Sequence, residues 1–399
     1  MGVSGDCQRF VAGEVWAECG LEVALNDNGL TITRRPPDTP KRETGEARRM
    51  AMNRSVQLHR FRRMLALQTT CAALLLGSVS AQNAPYISGG GGLITSTKGG
   101  NTTYIPIIAP EFVAMLGDYV MVESRATILE SYFPRGGGKP GYTQDAFLGL
   151  SYLQADVVVN RHVTIVAGEF LTPFGTYNER LSPIWISNFE EAPLTFGAGT
   201  MGTASSVGGM ARGSAYSNDD VSVDYVAYFS ATSMNEQFSA ERSSGGRLSA
   251  YFPKARVEAG ASFARLLQDT HENFLGGHFW WEPADSHFRL RSEFAHAPHA
   301  HGYWIEGDYR LAHFGGERSL IGRLEPVFRM QQVFRSKRDT EDGMPSADTN
   351  RVDFALDYHL PHEVRINTSY ARELSSNANR NIWQTGIVYR FLFPLWRGK

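Results

Sequence analysis

The stretch from Arg351 to Tyr370 constrains the fold most. Arg351, Asp353 and Asp357 fall on one face with Ala355 between them, while Val352, Phe354, Leu356 and Tyr358 fall on the other. After Leu360-Pro361-His362 the pattern repeats, with Glu363, Arg365, Asn367 and Ser369 against Val364, Ile366, Thr368 and Tyr370. A period of two belongs to β-strands, so the stretch predicts a hairpin. Two environments satisfy the pattern. In a soluble sheet the apolar face packs on a core and the charged face meets bulk water. In a transmembrane barrel the apolar face meets lipid and the charged face lines a wet lumen. One hairpin does not separate them.

The rest of the chain repeats the signal without a sustained amphipathic helix. Segments 119–131, 255–266, 286–296, 302–312 and 319–335 alternate in the same way. Segments 144–158, 162–171, 204–217, 220–231, 243–252, 273–282 and 380–393 are also strand-like. Their connections alternate in length. Tight ones centre on Gly117-Asp118, Asn160, Asn218-Asp219, Pro253-Lys254, Pro283-Ala284-Asp285 and Leu360-Pro361-His362, with 313–318 slightly longer. Longer ones span 132–143, 172–203, 232–242, 267–272, 297–301, 336–348 and 374–379. Short turns at one end and longer loops at the other are the habit of outer-membrane barrels, which carry an even strand number. Fifteen strands from residue 103 therefore call for one more, and 86–95 is the candidate despite its run Gly89-Gly90-Gly91-Gly92. The expected fold is all-β: a transmembrane, antiparallel, up-and-down β-barrel of about 16 strands over residues 82–399. Pro106, Pro110 and Pro326 argue locally against regular strand. Aromatic clusters at Phe279-Trp280-Trp281 and Tyr303-Trp304 fit interfacial girdles.

The first 81 residues differ. Residues 50–81 hold Arg60, Arg62 and Arg63, then an apolar run to Leu76, then Val79-Ser80-Ala81. That is the layout of a signal peptide. Residues 1–49 form a polar extension with no sustained period, and translation is expected to begin at Met50 or Met52. All three cysteines precede Gln82, so the exported part has no disulfide. From Gln82 onward 28 Lys+Arg stand against 33 Asp+Glu, a net charge of −5, which is not the footprint of a nucleic-acid binder.

A strand ending Gly168-Glu169-Phe170-Leu171-Thr172-Pro173-Phe174-Gly175, an exported barrel layout and the aromatic last strand Gly386–Phe393 together resemble the bacterial porin superfamily, which includes general diffusion porins and phosphate-selective porins. The resemblance implies passive diffusion of small hydrophilic solutes or ions across an outer membrane, lipid around the barrel and a possible homotrimer. It implies no catalysed chemistry and no cofactor. It also makes 172–203 a constriction loop folded into the pore. Glu179, Arg180, Glu190 and Glu191 are then the candidate constriction residues. Arg125, Arg289, Arg291, Glu306, Asp308, Arg323, Asp357 and Arg365 are the candidate lumen wall. Acidic loop residues would face a basic cluster on the wall. Alternatively the wall charges pair across strands, as in Arg289 with Asp308, Arg291 with Glu306, and Asp357 with Arg365. Lysine is scarce after residue 82, so phosphate selectivity does not carry over.

Other classes are a barrel hydrolase, a non-conducting surface anchor and a soluble secreted β-protein. No Gly-x-Ser-x-Gly marks a nucleophile. His296, His299 and His301 could hold a metal, with a solvated loop as the simpler expectation. The glycine runs at 89–92 and 136–138 precede no Lys-Ser/Thr and open no helix, so they are not phosphate cradles.

Overall fold

The computed structural model describes residues 21–26, 29–34, 85–136, 140–232, 242–268, 271–284, 286–337, 342–376 and 379–395. The chain divides into two units, Met1–Thr70 and Cys71–Lys399. In the first, Leu21–Asn26 pairs antiparallel with Gly29–Arg34, a hairpin within the stretch expected to lack periodic structure. The expected signal peptide lies outside the described residues.

The second unit is one closed antiparallel sheet of sixteen strands. They are β1 Tyr86–Lys98, β2 Asn101–Leu116, β3 Val120–Pro134, β4 Tyr142–Asn160, β5 Val163–Leu171, β6 Ser205–Ser217, β7 Ser222–Thr232 and β8 Ser243–Phe252. They continue with β9 Val257–Leu266, β10 Asn273–Trp281, β11 Phe288–Ala297, β12 Ala300–Tyr309, β13 Leu324–Arg335, β14 Thr349–His359, β15 Val364–Ser375 and β16 Asn379–Pro394. Each strand pairs with its chain neighbours. β16 closes on β1, from Pro394 opposite Tyr86 to Ile382 opposite Lys98. The glycine run is thus strand, and it completes the even count.

Facing follows the period of two and is inverted relative to a soluble sheet. Along β14, Asp353 is 1% exposed while its neighbour Phe354 is 55% exposed. Glu293, Glu306, Arg329 and Asn367 are likewise buried, whereas Phe294, Ile305, Phe328 and Ile366 are exposed on the outside. A sheet that hides charge and displays aromatics holds together in water only at great cost; surrounded by lipid, the outer belt is satisfied. Prolines interrupt the ladder where expected. The β2–β3 register omits residues 105–106 and 109–110, because Pro106 and Pro110 have no N–H to give. A bulge at Arg125/Ala126 shifts the β3–β4 register.

Two features correct the sequence reading. The sequence alternates through 302–312 and 319–335, but β12 stops at Tyr309 and β13 starts at Leu324. Between them lie 3-10 helices Leu311–Phe314 and Ile321–Arg323, punctuated by Gly315, Gly316 and Gly322. The connection 310–323 is therefore the longest at the mouth where the others, such as 117–119 and 161–162, are short. Conversely, 298–299 is a two-residue turn at the long-loop end. The aromatic clusters also split by the period. Phe279 and Trp281 face outward, but Trp280 and Trp304 face inward, Trp304 fully buried. Trp281 meets Phe288 at 6.0 Å and Tyr309 meets Phe314 at 6.3 Å, giving an outward aromatic rim at the short-connection mouth.

Candidate functional site

The chain from Thr172 to Ala204 leaves the wall and folds into the barrel. Its ends are tied: the Thr172 amide donates to the Ala204 carbonyl at 2.9 Å. The entry turn needs Gly175, whose φ is +68°. A Cβ there would also sit 2.3 Å from a Glu293 carboxylate oxygen. That carboxylate, from β11, accepts from the Thr176 amide at 3.0 Å and the Thr176 hydroxyl at 2.7 Å. It thereby fixes Thr176, the residue from which the single helical turn Tyr177–Arg180 starts. Tyr177, Leu181, Phe196 and Trp304 then form a buried apolar cluster pinning the loop to β12.

Each of the four candidate constriction residues lies on this inward loop and touches the wall. Glu179 pairs with Arg247 of β8 at 2.7 Å. Arg180 pairs with Glu258 of β9 at 2.8 Å and lies 5.1 Å over the Trp280 ring. Glu191 pairs with Arg351 of β14 at 2.5 Å and also with Lys98 of β1. Glu190 sits against Gly386 of β16, where a Cβ would fall 2.1 Å from its Oε1. The loop acids are in direct contact with their partners, and Arg247, Lys98 and Arg351 were not among the named wall candidates. These partners lie far away in sequence, so nothing local announces the pairing.

The named wall residues form a network beneath the loop. Arg289 pairs with Asp308 at 2.6 Å and with Glu325. Arg291 reaches Asp308 at 3.2 Å and Glu306 at 3.5 Å, and Arg365 reaches Asp357 at 3.3 Å. The three cross-strand pairs read from the sequence therefore form. They also seat the loop: Asn188 donates to Glu306 at 3.0 Å and Asp308 at 3.3 Å, and Arg365 donates to the Ile184 carbonyl at 3.0 Å and to that of Ser187. Arg125 approaches the loop at Ser182, 3.4 Å away. Arg323 is not on the wall strand. It ends the 3-10 turn before β13, where the glycines break the alternation that suggested it. Residues the sequence reading missed include Asn188, whose carbonyl accepts from Asn367 at 2.7 Å, and Gln331, which accepts from the Leu194 amide at 2.8 Å.

Two predictions concern this seating. Burial alone would raise the Glu191 carboxyl, but Arg351 and Lys98 hold it at about 2. Arg351→Gln leaves that charge covered with only Lys98, at a cost of about 3–5 kcal/mol to the seated loop. Protease cleavage within 177–198 is expected to accelerate, and channel current to become larger and noisier. Glu190 behaves oppositely. Burial pushes its carboxyl up to about 7, with Arg365 pulling against the rise. The seated loop therefore holds this proton more tightly than the released loop does. Seating is best supported below the ordinary value of 4.5 and weakens as pH rises from there through about 7, by at most on the order of 3 kcal/mol. Loop cleavage should be faster at pH 8 than at pH 5, and this difference should shrink in Glu190→Gln.

The three histidines do not converge. His296 and His301 are register partners with rings 6.1 Å apart, and His301 stacks on Phe334 at 5.2 Å. Among the described residues no group of three or more His, Cys, Asp or Glu is arranged to hold a metal.

No protein-family model and no curated protein matches the chain. Solved structures similar in course include OmpT, an outer membrane protein of Vibrio cholerae, at 12% identity and TM-score 0.48, covering 79% of this chain and 99% of that one. The anion-selective porin from Comamonas acidovorans is similar at 9% identity and TM-score 0.47, covering 77% and 98%. Pseudomonas aeruginosa OccK7 (OpdD) is similar at 13% identity and TM-score 0.43, covering 78% and 99%. At these identities the likeness is one of general barrel course. By its own register and its inverted facing, the chain is a closed antiparallel β-barrel of sixteen strands with one loop folded inward.

Proposed function

We propose that this barrel is a channel of a bacterial outer membrane, passing small hydrophilic solutes by diffusion without catalysing chemistry. The observation that carries the reading is the inverted facing combined with a loop seated inside the closed sheet. The apolar belt suits lipid, the charged interior suits water, and the loop narrows what would otherwise be a wide lumen. Water-facing side-chain surface persists beside the loop, at 38% for Arg180, 38% for Arg212 and 19% for Glu123. We place the passage along this arc, between the loop's first turn and β3–β6. Glu179, Arg180, Glu190 and Glu191 set its width by anchoring the loop, and the paired wall charges set its field. The short-connection mouth is assigned to the periplasm and residues 50–81 to an export signal. A homotrimer is the expected assembly.

Single-channel recording in planar bilayers tests the reading. Discrete open steps that change on neutralising Glu190 and Glu191 together are expected. A folded, inserted barrel with no conductance would favour a surface anchor, and hydrolysis of lipid or peptide without conductance would favour an enzyme.

A further inference from the structure

Below the seated loop, at the short-connection mouth, lies a cavity of about 410 Å³. Three successive connections of that mouth supply its rim: Arg256, Glu282 with Pro283 and His287, and Arg310. Trp185 and Asn188 of the loop form its inner end, and Arg289 and Arg365 stand on the wall. The cavity is within the size range of small-ligand sites, roughly 300–1,000 Å³.

Its charges are unevenly committed. Glu325, one of its two carboxylates, is taken by Arg289 and by His359 at 2.8 Å. Arg289 is further held by Asp308, and Arg365 by Asp357. Arg256 and Arg310 pair with no carboxylate among the described residues. The Nε atoms of Arg310 and Arg365 are buried and have no hydrogen-bond partner. Arg310 is not free to swing to bulk water as a whole residue, since its amide donates to the His287 carbonyl at 3.2 Å and ties two connections together.

We propose that this cavity binds a small oxyanion, inorganic phosphate or a short carboxylate, with Arg310 as the principal contact and Arg256 and Arg365 beside it. A guanidinium presents N–H groups in a planar fork that matches two oxygens of a carboxylate or phosphate, so one oxyanion suits the cavity-facing ends of Arg256 and Arg310, which have no carboxylate partner among the described residues. Pro283 and Trp185 give an apolar flank for the carbon skeleton of an organic acid. The site stands on the cavity and its arginines. Its role as a station for solutes leaving the constriction rests on the channel reading above.

The test uses the full barrel refolded in detergent micelles and titrated with sodium phosphate or sodium succinate while tryptophan emission is followed. Trp185 lines the cavity, so Trp185→Phe identifies its share of the signal. A saturable response to at least one anion, absent with tetramethylammonium chloride and lost in Trp185→Phe, is expected. Arg310→Gln should weaken binding about tenfold, the loss of one charge-assisted contact, and Arg310→Lys should restore part of it. If Arg310→Gln does not reach the folded, heat-shifted gel form, Arg256→Gln carries the same comparison. Response to phosphate alone or to succinate alone assigns the ligand between the two sources. No saturable response to either anion, or an unchanged affinity in the folded arginine variants, overturns the proposal. Saturable binding by a barrel that conducts nothing would leave the site and remove the channel reading. Conductance without binding would do the reverse.

Discussion

Excising residues 176–200 and bridging the gap with a short Gly-Ser linker should raise single-channel conductance several-fold and admit larger sugars in liposome-swelling assays. The strands should survive the excision. The Thr172 amide already meets the Ala204 carbonyl at 2.9 Å, so the new link closes a gap that the fold has closed, and Thr172 also bonds Ser206 at 2.8 Å. The exposed wall charges exchange loop partners for water. Glu293 loses Thr176, and Arg247 loses Glu179, yet both then face a wider wet lumen, where the penalty for an unpaired charge is small. An unchanged conductance would mean that the loop does not narrow the passage.

The second large effect is expected on the outer belt. Leu356 of β14 is 40% exposed and lies on the outward face. If that face met water, Leu356→Arg would change stability by no more than about 0.5 kcal/mol, as at ordinary surface sites. Facing lipid near mid-height, it should cost about 2–4 kcal/mol and sharply reduce the yield of inserted barrel. Leu356→Phe should be tolerated. Urea unfolding in lipid vesicles measures the difference, and a neutral Leu356→Arg would favour the soluble-sheet alternative.

What the sequence made legible follows from where its information is local. The facing of 351–370 is written in adjacent residues, and the structure reproduces it from Asp353 and Phe354 onward. Arg289 with Asp308 and Arg291 with Glu306 could be read because hairpin partners are close in sequence and exactly one register fits. Arg323 was misplaced because alternation by chance continued across a connection that Gly315, Gly316 and Gly322 break. Trp280 was grouped with its outward neighbours although the same period of two already turned it inward. The four glycines of β1 carry no side chains to show a facing, yet at Gly90 that absence is the function: a Cβ there would meet the Trp185 ring at 2.6 Å. The anchoring of the loop stayed hidden. Glu191 and Arg351 are 160 residues apart, and a single sequence holds no sign that they touch.

The most direct measurement is a scan of β14 by lipid-borne quenchers. The chain has no cysteine after residue 81, so single cysteines at 352–358 can each carry a bimane label in a barrel reconstituted with brominated lipid. Strong quenching at 352, 354, 356 and 358, and little at 353, 355 and 357, is expected from an outward belt in lipid and an inward face turned to the loop. Uniform quenching along the strand, or quenching of 354 and 356 by aqueous iodide instead of lipid bromine, would contradict it.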